Sequence, residues 1–427
     1  MKQKKNSLIK VLVELFMKFA LIFVFVFFQN INTLIFAWYA YLFSSLFLVK
    51  RERLLLLIII VLTMYNTTAW IVFYITGLIY PPFPEPSIIY EATISALRGV
   101  VLTYFVISFL FLKFDWNNWI RKMSLRVVYI LNNMSYIRLV LTSLVLYIFA
   151  FYDWYTMLRI GPFVILEYPR RYFWQSFLST SNHNVQLITI SLSIILFLGF
   201  FLKRNKIFKM NCIAVLLLYY IPYVVVGARK ELLIVLLSGA IIVVYIFKNK
   251  SRYIMQVGLF FVIIFFVIMP YFRDKSLFRS FDEWIMPQYI LFSIIDENVR
   301  NMIDYNYLTG AWIMLPGFMR PISVVNLGQQ FADLKLTTVG VGGHSFAEAF
   351  LNFGDLSVFL FPLITLMLII MIVLLSLRIP VAGIIGIVYL FLWGRSDLWV
   401  TIFYILYGSI VFALLAQVKI NNVKINN

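Results

Sequence analysis

Apolar runs of membrane-spanning length, separated by short polar stretches, make up most of the chain. They fall at about 8–28, 33–49, 54–79, 92–112, 136–156, 184–202, 211–227, 231–247, 253–271, 347–375, 380–393 and 398–416. A helix needs about 20 apolar residues to cross the hydrocarbon core of a bilayer, and most of these runs approach that length. The pattern predicts an all-α polytopic membrane protein with about twelve transmembrane helices, since the residue-by-residue alternation of a transmembrane barrel is absent. The first run follows MKQKKNSLIK. It is long and no small-residue cleavage pattern follows it, so it reads as an uncleaved first span.

Composition agrees with this pattern. Of 427 residues, 63% are hydrophobic and 13% charged, and the mean hydropathy is +0.93. A soluble globular protein carries far less apolar sequence. The net charge of +18 would suggest nucleic acid in a soluble protein. Here the basic residues sit in short loops, and no nucleic-acid partner is expected. KQKK, KRER (50–53), Lys113 to Arg126, KRNKIFK (203–209) and KNKSR (248–252) all fall on one side of the predicted spans. The positive-inside rule makes that side cytoplasmic, with both termini there. Of the 18 carboxylates only Glu14, Glu52 and Asp115 share it, so acids and bases meet on the outer face. Cys212, the single cysteine, permits neither an intramolecular disulfide nor a cysteine metal site. No metal and no cofactor is expected.

Three outer segments stand out. PPFPEPSIIYEA (81–92) is stiffened by prolines and caps the next helix or simply connects spans. Asp153 to Asn182 carries EYPRRYFWQ, in which Glu167, Arg170 and Arg171 lie among aromatics; this mixture suits interfacial anchoring and also sugars and phosphates. The third, about 271–346, is too long for a connector and should hold short helices of its own. It brings Arg273, Arg279 and Arg320, among other charged residues.

Two motifs could carry chemistry. In VVVGARKELL (224–233) a tight outward turn exposes Arg229 and Lys230, with Glu231 in the first turn of the next helix. Cations at a helix N-terminus on the membrane surface suit a lipid-linked phosphate, although the same residues could simply mark a span boundary. In TTVGVGGHSFAEAFLNFG (337–354) and the residue after it, His344, Glu348, Asn352 and Asp355 fall near one helical face. Such groups must face a wet cavity or protein partners. His344 is either a hydrogen-bonded helix-entry histidine or, with Glu348 one turn on, a proton acceptor. A further outward turn, WGRSDLW (393–399), holds Arg395 and Asp397, which read as a mutual pair or as a phosphate contact. P-loop, HExxH and GxSxG signatures are missing.

The outward G-x-R turn, the late outer segment and GGHSFAEAFLNFGDLSVFLFPL together resemble the oligosaccharide repeat-unit polymerases of bacterial surface polysaccharides, the O-antigen polymerase (Wzy) family. That family is similar to the O-antigen ligases, and the resemblance implies a glycosyltransferase C-like helical fold with a large periplasmic loop at 271–346. It implies an inner-membrane enzyme that transfers a growing glycan from undecaprenyl diphosphate to an incoming undecaprenyl-diphosphate-linked repeat unit. Membrane lipid and a chain-length regulator protein are the further partners it suggests. Arg229, His344 and Glu348 would then be catalytic; Lys230, Arg273, Arg279, Arg320, Arg395, Arg170 and Arg171 would contact substrate or diphosphate. HSFAE stands where ligases tend to have a His-Asn start, so polymerase and ligase remain open. A lipid-linked oligosaccharide flippase is the alternative of another class.

Overall fold

A computed structural model of the protein describes residues 16–21, 23–25, 30–48, 52–77, 85–111, 114–162, 183–225, 230–246, 282–315, 319–320, 327–334 and 343–416. Among these residues the chain is helical and contains no strand. Among the described residues, six helical stretches are long and apolar enough to cross a membrane: Arg53–Thr76, Pro86–Leu110, Tyr136–Ile160, Val185–Leu202, Ser345–Arg378 and Leu398–Leu415. Ile31–Leu46, Glu231–Val244 and Pro380–Phe391 are shorter apolar helices. The predicted run 253–271 lies outside the described residues.

The first unit gathers residues 1–119, 269–370 and 390–402. Its central helix is α2 (Arg53–Thr76), which touches α1 (Ile31–Leu48), α3 (Pro86–Leu110) and α9 (Asp282–Ile295). The polar residues of α2 fit its apolar surroundings because they bond to their own helix. Thr63, Asn66, Thr67 and Thr68 each donate to the carbonyl four residues back, at 2.7–2.9 Å, which satisfies the three hydroxyl donors in hydrocarbon; Asn66 Oδ1 is buried without a hydrogen-bond partner among the described residues. Trp38 Nε1 donates to Thr63 Oγ1 at 2.9 Å, tying α1 to α2. Proline at the first position of α3 costs nothing there, because that N–H lacks a helical partner anyway. The helix accordingly starts at Pro86, six residues before the run read from hydropathy.

The second unit gathers residues 120–268, 371–389 and 403–427. Here α6 (His183–Leu202) packs on α5 (Tyr136–Ile160), α7 (Lys206–Val225) and α8 (Lys230–Ile246). Ser135 caps α5, accepting from the Arg138 N–H at 3.4 Å. The helix continues to Ile160, so Asp153 lies within it. Asp153 is buried and accepts a hydrogen bond from the Tyr223 hydroxyl at 2.5 Å.

Two differences from the sequence reading stand out. Residues 113–126, read as a charged loop, lie mostly in α4 (Trp116–Asn132). Trp116, Trp119, Ile120, Met123, Val127 and Leu131 are buried at helical spacing, while Arg121 and Lys122 are exposed. The run read as one span at 347–375 is broken. Helix α13 (Ser345–Phe353) ends at Gly354, whose φ of 55° and ψ of −135° suit only glycine. A 3₁₀ turn, Gly354–Leu356, then leads into α14 (Ser357–Arg378).

Between residues 282 and 343 the described chain forms α9, α10 (Glu297–Asn301), α11 (Tyr307–Ala311), a 3₁₀ turn at Trp312–Met314, and α12 (Leu327–Asp333). Asp296 caps α10, and Asn306 with Thr309 forms a capping box on α11. After α14 come α15 (Pro380–Phe391), a 3₁₀ turn at Trp393–Arg395, and α16 (Leu398–Leu415).

Candidate functional site

In the first unit, polar side chains from 305–307, 344–352 and 397–399 converge on one buried network. His344 precedes α13 and is wholly buried. Its Nδ1 accepts the Ala347 N–H at 3.1 Å, so the histidine itself is the N-cap. With Nδ1 accepting, the ring proton of the neutral form sits on Nε2 and points at the Tyr65 carbonyl of α2, 3.3 Å away. Desolvation by burial lowers the ring's pKa to about 4, against the Tyr65 hydrogen bond, which raises it. The imidazole is neutral at neutral pH, and both its nitrogens are engaged by backbone.

One turn on, Glu348 is also wholly buried. Its Oε1 accepts from the Tyr305 hydroxyl. Its Oε2 accepts the Leu398 N–H at 2.7 Å. Leu398 is the first residue of α16, so this carboxyl group caps a helix other than its own. Asn352, one turn further, accepts the Tyr307 N–H at 2.8 Å while donating to the Glu348 carbonyl at 2.8 Å. His344, Glu348 and Asn352 thus stitch α13 to α2, to α16 and to the start of α11. The stripe read from spacing faces protein partners at these three positions, and Asp355 is exposed.

Asp397 extends the pattern. Its Oδ2 accepts the Leu327 N–H that opens α12, at 3.0 Å, and its backbone carbonyl starts α16 by accepting from Thr401 at 3.0 Å. It lies within electrostatic reach of Glu348 and Tyr305. Gly343 makes this approach possible, because a β-carbon there would collide with the Asp397 carboxylate and lie 2.7 Å from its backbone nitrogen. Trp399 Nε1 donates to the Tyr307 carbonyl at 2.6 Å. Burial, with the nearby Glu348 and Asp397, keeps the Tyr305 phenol protonated far above the ordinary range. The same causes act on Tyr307. Its hydroxyl is buried with no hydrogen-bond partner among the described residues.

Of the cations proposed from sequence, Arg229, Arg170, Arg171, Arg273 and Arg279 lie outside the described residues. Lys230 is the first residue of α8. Arg320 donates to two carbonyls, Leu315 at 2.8 Å and Ile313 at 3.1 Å, closing the chain end that follows α11. Arg395 ends a 3₁₀ turn and is half-buried. The sequence reading missed Tyr305, which no local pattern marks, and did not give Asp397 its role as a tie to α12. Among the described residues no group of three or more His, Cys, Asp or Glu could hold a metal.

The second unit holds a separate polar cluster. Gln186 Nε2 donates to Glu231 Oε1, and Tyr404 donates to Gln186 Oε1. Tyr389 stacks on Tyr404 with ring centroids 5.3 Å apart. Glu231 Oε2 and the Tyr389 hydroxyl are buried without a hydrogen-bond partner among the described residues.

Among the described residues, fold and sites define an all-helical membrane protein in which the buried carboxylates Glu52, Glu231, Glu348 and Asp397 lie at helix starts, while Asp153 lies within α5. Compared with protein-family models, with curated proteins and with solved structures, the chain matches none.

Proposed function

We propose that the chain polymerises lipid-linked oligosaccharide repeat units at the outer face of a bacterial inner membrane. In this reading about twelve spans carry a glycosyltransferase C-like fold, both termini are cytoplasmic, and 271–346 is the periplasmic loop. The observation that carries the proposal is the convergence of the late polar segments on a rigid, cross-capped network beside membrane helices. Such a network can fix the loop that bears the substrate-facing groups. The resemblance of the G-x-R turn and of GGHSFAEAFLNFG to repeat-unit polymerases supplies the chemistry.

An acceptor sugar hydroxyl forms a bond to the anomeric carbon of the growing glycan. The bond from that carbon to the carrier diphosphate breaks with its electron pair, and the hydroxyl proton passes to a base. Cations must meet the leaving diphosphate; Arg229 and Lys230 at the outward turn, with Arg273, Arg279, Arg395, Arg170 and Arg171, are the groups suited to it. Arg320 serves the backbone instead, and His344 serves as cap and tie, because its lone pair holds an N–H. Glu348 is the remaining acid-base candidate. Each of its two oxygens accepts one hydrogen bond and keeps a second lone pair that a proton can occupy.

One observation favours the flippase reading. A helix interrupted at Gly354 beside a buried carboxylate is a feature of transporters. Incubation of purified protein with a lipid-linked repeat unit in liposomes, without nucleotide sugar, separates the readings. A ladder of lipid-linked oligomers is expected. Movement of unextended repeat units across the bilayer would replace the proposal with transport, and transfer only onto added lipid A core would make the protein a ligase.

A further inference from the structure

A cavity of about 610 Å³ opens within the first unit between α3 and the start of α14. Its walls are graded. Along α3, Ser95, Arg98, Leu102 and Phe105 line it, at spacings that put them on one helical face. Across from them stand Asp355 and then Phe359. The polar residues come first on both helices and the apolar ones follow about one to two turns later. In the span order read from the sequence, both helices enter from the outer side, so both walls run from polar to apolar in the same sense.

Arg98 sets the chemistry. It stands twelve residues from each end of α3, roughly 18 Å along the axis. Its side chain is exposed, and among the described residues it makes no hydrogen bond or ion pair. An arginine so far along a span needs a partner. Side chains lean toward the N-terminus of their helix, which carries the guanidinium toward the Ser95 end of the cavity. Asp355, likewise exposed, would repel an anion but accepts hydrogen bonds from hydroxyls.

We propose that this cavity holds a phosphate-bearing lipid with a hydroxylated headgroup, its phosphate on Arg98, its hydroxyls on Asp355, and its tail along Leu102, Phe105 and Phe359. The site stands apart from the glycosyltransferase reading and would serve equally a lipid that only regulates or stabilises the protein.

The test is binding to the purified full-length protein in uncharged detergent, read by native mass spectrometry. The probes are dodecyl phosphate, phosphatidylglycerol, phosphatidylcholine and inorganic phosphate. Phosphatidylglycerol should outbind phosphatidylcholine. Arg98→Gln should weaken dodecyl phosphate and phosphatidylglycerol at least about tenfold, the loss of a charge-assisted hydrogen bond. Leu102→Trp, which fills the apolar end, should weaken both. Asp355→Asn should strengthen dodecyl phosphate and weaken phosphatidylglycerol. The exposed Arg159→Gln should change nothing, and unchanged unfolding temperatures would exclude misfolding. Equal binding by Arg98→Gln and the wild type would overturn the inference. So would inorganic phosphate binding as well as dodecyl phosphate, because the tail would then contribute nothing.

Discussion

Each unit buries a glutamate near a helix N-terminus, and the two are satisfied differently. Glu348 gives one oxygen to the Tyr305 hydroxyl and the other to the Leu398 N–H. Glu231 gives one to the Gln186 amide and leaves the other without a partner among the described residues. A fully hydrogen-bonded buried carboxylate rigidifies its surroundings, whereas a half-bonded one is a liability unless something else uses it. Glu348 therefore reads as scaffold and Glu231 as a group held ready for change.

The largest expected effect comes from emptying the scaffold. Glu348→Ala leaves the Tyr305 hydroxyl and the Leu398 N–H buried without partners, and should cost about 3 kcal/mol in thermal unfolding. Glu348→Gln can accept from Leu398 and donate to Tyr305, so about 1 kcal/mol is expected. Equal losses would mean that the charge matters rather than the hydrogen bonds.

Acid should strike the first unit next. His344 is neutral in the folded protein, its pKa held at about 4 against an ordinary 6.5. Between those values the unfolded chain binds the proton and the folded chain does not. Stability therefore rises with pH across that window and falls as pH drops through it, by a total approaching about 3 kcal/mol. His344→Asn should flatten this dependence.

Smaller again is the cap itself. His344→Ala should lose about 1–2 kcal/mol and His344→Asn should recover most of it, since asparagine is a good N-cap. If activity survives His344→Asn, the ring is not the base. If activity vanishes while stability holds, the proton-acceptor role returns.

The smallest effect belongs to the second cluster. Glu231→Gln keeps an acceptor for the Gln186 amide and should leave the unfolding temperature level or raise it. A loss matching that of Glu348→Gln would erase the contrast between the units.

Hydropathy located most helices, because a span must be apolar throughout and that property is local. It placed 33–49 and 54–79 within a few residues of Ile31–Leu48 and Arg53–Thr76. It failed where a helix is apolar on one face only. Trp116 to Asn132 was hidden by Arg121, Lys122 and Arg126, although buried residues recur on its other face. Gly354 could have been read as a stop, but the apolar residues on both sides outweighed it. Half of the network was legible: the spacing of His344, Glu348 and Asn352 showed a polar stripe needing partners. The partners were not, because Tyr305, Asp397 and the backbone of Tyr65 and Leu398 are distant in sequence and only folding brings them together.

His344 is a neutral cap, with Nδ1 accepting and Nε2 protonated. It can be observed directly by nitrogen NMR of ¹⁵N-histidine-labelled protein carrying His183→Gln, which leaves His344 as the sole ring signal outside any tag. At pH 7 and again at pH 5.5 one unprotonated Nδ1 and one protonated Nε2 are expected. A ring that titrates near 6.5, or that carries its proton on Nδ1, would contradict this assignment.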